Sequence, residues 1–170
     1  YTLSLHDALP IWRRNLKHLS PALRAITLVS NLTLQQSRMQ LPDLPNQLDH
    51  SRLQGQSPYV INAGWYMQND SATLQASLLY NVFGPRVFAI GSAFYASTAE
   101  LPFHSLDALG SWRFTKRCTA QFGVQNLLNE QVRMVLDINR DGHFNTSDAL
   151  VKRYRPGTCV TAGIRVQLSH

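Results

Sequence analysis

The sequence predicts an all-β fold: an antiparallel meander of six to seven strands forming part of a transmembrane β-barrel, left as an open curved sheet when only this part is present. Three observations carry that expectation. Segments of about ten residues alternate strictly between apolar and polar side chains, as in membrane barrels. The connections between them alternate between short and long. The polar face is built from Asn, Gln, Thr, Ser and Gly, with few charges.

Successive side chains of a strand point to opposite faces, so alternation reads directly as a two-faced strand. A partial strand is expected around 12–19. In 23–39, Ile26, Leu28, Leu32 and Leu34 oppose Thr27, Asn31, Thr33, Gln35 and Ser37. In 59–69, Tyr59, Ile61, Ala63, Trp65 and Met67 oppose Asn62, Gly64, Tyr66 and Gln68. In 72–82, Ala72, Leu74, Ala76, Leu78, Tyr80 and Val82 oppose Thr73, Gln75, Ser77 and Asn81. In 104–114, Leu106, Ala108, Trp112 and Phe114 oppose Ser105, Asp107, Ser111 and Arg113. In 119–129, Ala120, Phe122, Val124 and Leu128 oppose Thr119, Gln121, Gly123, Gln125 and Asn129. In 158–168, Val160, Ala162, Ile164, Val166 and Leu168 oppose Thr161, Gly163, Arg165 and Gln167. Leu79, Leu109 and Leu127 break the pattern by falling on the polar face.

Short turns are expected at 20–22, 69–71 and 115–118, and long loops at 40–57, 84–102 and 130–154. All the short turns then fall at one end of the sheet. Outer-membrane barrels have this arrangement, with tight periplasmic turns and long external loops. If the C-terminus is periplasmic, the parity works back to Pro21 without conflict. Backbone groups in lipid must all be paired, which requires a closed sheet in the complete barrel.

Charged residues make up 15% of the chain, against about 25% in soluble domains. The formal charge is +6, but the basic residues are scattered and form no stripe, so no nucleic-acid partner is expected. No apolar run approaches the ~20 residues of a membrane helix. Residues 1–11 read as a translated sequencing adapter in one frame and are set aside as non-native. Residues 12–170 are then the C-terminal part of a barrel.

Four stretches carry a family resemblance: 57–64 (SPYVINAG), 74–84 (LQASLLYNVFG), 122–129 (FGVQNLLN) and 154–158 (YRPGT). In this order and spacing the chain resembles the C-terminal barrel of TonB-dependent outer-membrane receptors, closest to the Bacteroidota-type members. The resemblance implies a barrel of about 22 strands with a plug in its lumen. It also implies import of a scarce ligand, such as a siderophore–iron complex, cobalamin or a glycan. The implied partners are outer-membrane lipid, the remainder of the barrel and the plug, the small ligand, and the TonB complex acting on the parent's N-terminus. Plug and TonB box are not in these residues. The chain departs from the family at its end: Val166-Gln167-Leu168-Ser169-His170 lacks the usual terminal aromatic residue. The rival readings are a soluble antiparallel β-barrel or sandwich binding a ligand or calcium, and an outer-membrane barrel without a transport role.

The sharpest local motif is Asp137-x-Asn139-x-Asp141-Gly142-His143-x-Asn145-x-x-Asp148. It matches the calcium-loop pattern, with acidic or amide side chains at positions 1, 3, 5 and 12 and a backbone carbonyl, here that of His143, at position 7. Gly142 would permit the sharp turn and Phe144 would anchor the loop. Ca²⁺ is therefore the one cofactor considered, against a plain turn-rich loop. His18, His50, His104, His143 and His170 show no metal-ligand spacing. Asp107 and Arg113 share the polar face, where ion pairing with neighbouring strands is expected. Cys118 and Cys159 should lie at opposite strand ends, too far apart to bond. Trp65, Trp112, Phe114 and Phe122 read as an aromatic girdle. No nucleophile–base arrangement or paired carboxylates stand out, so no enzyme activity is expected.

Overall fold

Strict alternation gives each long segment one apolar and one polar face, which suits a strand of an antiparallel sheet. The computed structural model, which describes residues 11–41 and 50–168, has this architecture. Its strands are β1 (Ile11–Asn15), β2 (Ile26–Leu34), β3 (Met39–Gln40), β4 (His50–Ser51), β5 (Tyr59–Gln68), β6 (Leu74–Phe83) and β7 (Arg86–Ala89). They continue as β8 (Thr98–Glu100), β9 (Phe103–Arg113), β10 (Cys118–Gln125), β11 (Val132–Leu136), β12 (Ala149–Tyr154) and β13 (Cys159–Val166). There is no α-helix among the described residues, only the 3-10 turns Leu16–His18 and Pro21–Leu23. Tyr1–Pro10 and His170 lie outside the described residues; Ile11, the last of the adapter-like positions, opens β1 opposite Asn31.

Seven strands form one antiparallel sheet in the order β1-β2-β5-β6-β9-β10-β13. The sheet is open, with β1 at one edge and β13 at the other. The six long strands fall on the six alternating segments, with shifted ends. The segment 12–19 leaves the sheet at Leu16, where the Asn15 side chain accepts from the Lys17 amide (2.9 Å) and starts a 3-10 turn. The segment 119–129 ends at Gln125 because Asn126 and Asn129 adopt φ of 55° and 43°, left-handed values that Asn tolerates and a strand does not.

The short turns are closed by their own side chains. Asn69 Oδ1 accepts the amides of Thr73 (2.8 Å) and Leu74 (2.9 Å), while Nδ2 donates to Thr73 Oγ1 (2.7 Å). Thr115 Oγ1 accepts from the Cys118 amide at 2.9 Å. Arg24 pairs with Asp70 across this end of the sheet, an exposed contact worth at most about 1 kcal/mol. Asn69→Ala removes the acceptor of two turn amides that water can reach and is expected to cost about 0.5–1.5 kcal/mol. Denaturant unfolding in detergent checks this, and a change below a few tenths of a kcal/mol would show that the turn closes without Asn69.

The long connections are not plain loops. Those at 84–102 and 130–154 supply a second antiparallel sheet, ordered β12-β11-β8-β7, and β3 pairs with β4 within 40–57. Segments of this length rarely lack structure of their own. Here Val87, Val132 and Val135 favour strands and supply apolar surface. The core sits at this end: Val87, Ala99, Leu101, Val132 and Val135 are buried, with Val82 from the end of β6. On the apolar face of the large sheet, by contrast, Leu78 stays 40% exposed, Trp112 55%, Phe122 58% and Ile164 70%. No described segment packs over those residues.

Candidate functional site

Pairing register fixes which side chains stand side by side across an antiparallel sheet. The polar face forms continuous rungs. Asn31, Asn62 and Asn81 lie opposite one another, followed by Ser105. Their side chains form a ladder, Asn62 Nδ2 donating to Asn31 Oδ1 (2.9 Å) and Asn81 Nδ2 to Asn62 Oδ1 (2.5 Å). Further toward the short turns run Thr27–Tyr66–Ser77–Leu109–Gly123–Thr161, then Gln68–Gln75–Ser111–Gln121–Gly163. The last rung is Arg113–Thr119–Arg165.

This face lines a concavity of about 1050 Å³, bounded by Arg13, Thr27, Tyr66, Gln75, Ser111 and Gln121 among others. The apolar side chains take the opposite, convex face. Two of the three leucines that broke the alternation now have a reason, and the third, Leu127, lies beyond the end of β10. Leu79 pairs with Gly64 and Leu109 with Gly123. A Cβ on Gly64 would lie 3.3 Å from Leu79 Cδ2, and one on Gly123 would lie 3.1 Å from Leu109 Cδ2. Each leucine thus folds over the gap left by the glycine opposite. Tyr66 also leans across Gly64, where a Cβ would come within 2.7 Å of its ring. Tyr66 thereby holds its ring against the concave face, a placement its parity opposite Trp65 and Met67 already signalled.

The motif at 137–148 joins β11 to β12. Asp137 is 1% exposed. Its Oδ1 accepts the Asp141 amide (3.2 Å), and Oδ2 accepts the Gly142 amide (3.0 Å). Asn139 Nδ2 donates to Asp141 Oδ2 (2.8 Å), and the His143 amide donates to Asp141 Oδ1 (2.7 Å). Gly142 has a φ of 73°, the left-handed turn expected of it, and Arg140 shares that region at 55°. Asn145 and Asp148 form a separate cap, the Asn145 amide donating to Asp148 Oδ2 (2.8 Å). The loop therefore gathers Asp137, Asn139, Asp141 and His143 into one network and keeps Asn145 and Asp148 in another. Asp137 and Asp148 accept backbone amides, and Asp141 accepts one backbone and one side-chain amide. Among the described residues no three His, Cys, Asp or Glu side chains stand close enough to hold a metal ion.

The other singled-out residues are dispersed. His104 Nδ1 lies 2.6 Å from Tyr80 Oη, and the His104 amide donates to Glu130 Oε2 (2.9 Å). His18 sits in a 3-10 turn and His50 in β4. Among the described residues Asp107 and Arg113 form no ion pair. Asp107 Oδ1 accepts the Asn126 amide (2.8 Å), and Arg113 donates to the Ala72 carbonyl (3.1 Å). Cys118 and Cys159 are free thiols at opposite ends of the β10–β13 pair. Trp112 and Phe114 stack obliquely at 5.9 Å near the short turns, whereas Trp65, in register with Leu78, and Phe122 stand within their strands on the convex face rather than at the strand ends where a girdle would place them.

No known family model matches the chain, and no curated protein or solved structure is significantly similar to it.

Proposed function

We propose that this chain is part of the barrel of an outer-membrane receptor of the TonB-dependent kind, its parent importing a scarce ligand across that membrane. The single observation that most supports this is the large sheet: long strands with a bare apolar convex face, a polar concave face and two unpaired edges. An open sheet with an uncovered apolar face is unstable in water unless lipid and further strands complete it. The placement of short turns at one end and elaborated connections at the other fits tight periplasmic turns and structured external loops. In this reading the C-terminal strand β13 runs toward the periplasm, and its free edge is where the rest of the barrel joins. Calcium at 137–148 is supported by the sequence pattern alone, and titration of the chain with and without Asp141→Ala tests it.

The experiment for the main reading is fractionation of the full-length parent. It is expected in the outer membrane, extracted by detergent and not by high salt. Recovery as a soluble, monodisperse protein without detergent would establish the soluble-sandwich reading instead. The coding sequence upstream of residue 12 separates transport from a purely structural barrel, because a receptor requires a plug domain there.

A further inference from the structure

We propose that the rung Arg113–Thr119–Arg165 forms an oxyanion site that takes one carboxylate or phosphate group at the short-turn end of the concave face. Thr119 is the register partner of Arg113 on one side and of Arg165 on the other. All three side chains therefore share a face, and the two arginines sit two strands apart, about 10 Å between Cα atoms. Arg113 reaches toward the Ala72 carbonyl on the β6 side, and arms of that length let both guanidinium groups border the space between them. Both line one recess of about 140 Å³ together with Thr73, Gln75, Ser111 and Gln121.

The lining contains two cations, hydroxyls and amides, and no carboxylate. On the same face Asp107 lies six residues up β9 from Arg113, its Oδ1 engaged by the Asn126 amide, and Asp70, in the turn whose Ala72 carbonyl Arg113 contacts, is paired with Arg24. The side-chain ion pairs Arg24–Asp70 and Arg86–Glu100 use neither arginine. Arg113 spends a donor on the Ala72 carbonyl, and a guanidinium has five. Two like charges facing one recess repel until an anion lies between them, and the planar fork matches carboxylate and phosphate oxygens. Lys116 and Arg117 in the adjoining turn strengthen the positive potential.

Size limits the occupant. The recess is smaller than the ~300 Å³ of ordinary ligand pockets, so it holds a single group rather than a whole ligand. It shares Gln75, Ser111 and Gln121 with the large concavity. The anion can thus arrive free, as phosphate, or as the carboxylate of a peptide lying along the concave face.

The test titrates the full chain in detergent micelles at low salt with inorganic phosphate, and separately with N-acetyl-aspartyl amide as a peptide carboxylate. Saturable phosphate binding is expected in the millimolar range. It should weaken at least ~5-fold in Arg113→Gln and in Arg165→Gln, vanish in the double variant, and fall as salt rises. Arg113→Lys should keep part of the affinity, retaining charge without the fork. Competition by the aspartyl amide supports the site and assigns it to carboxylates; binding of phosphate alone supports it and assigns it to phosphate. No saturable binding of either probe, or binding unchanged in the double variant, would overturn the proposal. Both arginines are exposed, and matching circular dichroism of the variants confirms that the sheet is intact.

Discussion

Asp137→Ala is expected to lower stability by about 2–4 kcal/mol, from the loss of two charge-assisted bonds to backbone amides. The carboxylate is almost wholly enclosed and closes the start of the 137–148 loop onto the amides of Asp141 and Gly142. Its removal leaves both donors without their acceptor while the left-handed turn at Gly142 remains to be held. Asp137→Asn keeps one carbonyl acceptor and should lose roughly half as much. Asp141→Ala, at an exposed position, should cost under about 1 kcal/mol. Hydrogen exchange at the amides of 141 and 142, together with denaturant unfolding, reads the difference. Equal losses from Asp137→Ala and Asp141→Ala would contradict this account of the loop.

A second large effect is expected at the centre of the convex face. Leu78 lies mid-strand in β6, in one rung with Leu28, Trp65, Ala108, Val124 and Val160. If that face meets hydrocarbon in the complete barrel, Leu78→Arg should cost about 2–4 kcal/mol, the range for a cation at the bilayer midplane. Leu74→Arg, at the strand end toward the short turns, should cost about 0–1 kcal/mol, because the penalty falls toward the interface. Ser77→Arg, one residue away on the concave face, should be nearly neutral. Reversible unfolding of the complete barrel in lipid vesicles measures all three. A penalty that ignores depth, or that is equal for Leu78 and Ser77, would remove the lipid-facing assignment.

The large sheet was legible because one arithmetic rule, period two, governs every strand. A slip of one residue would turn all the apolar side chains to the wrong face. The ends were less legible. Nothing in the alternation of 119–129 announces that Asn126 leaves the strand, since Asn is common both in polar strand faces and in left-handed turns. The second sheet escaped for a different reason. β7, β8, β11 and β12 are short, and β8 finds β11 across a long stretch of sequence, so no local pattern marks the pairing. The polar rung with its two arginines was half legible: parity places Arg113, Thr119 and Arg165 on one face, but only register aligns them. The glycine–leucine pairs were legible as anomalies and intelligible only in three dimensions. In the motif loop, the sequence displayed oxygen-rich residues at suggestive spacing. The structure shows which of them order the loop through hydrogen bonds, a division between 137–143 and 145–148 that spacing alone does not display.

The pairing of β8 with β11 joins two excursions of the chain that belong to different hairpins. One leaves β6 and returns as β9; the other leaves β10 and returns as β13. The sheet already closes each excursion at its base, so their union orders one against the other, and opening either one exposes strand edge and apolar surface of both. β6, β9, β10 and β13 are thereby bound into one cooperative block beneath a common roof. The chain leading into β5 is tied to the same end by Ser57 and Tyr59 at Gly84 and by Gly55 at Val87, whereas β1, five residues long and paired only with β2, should be the first strand to fray.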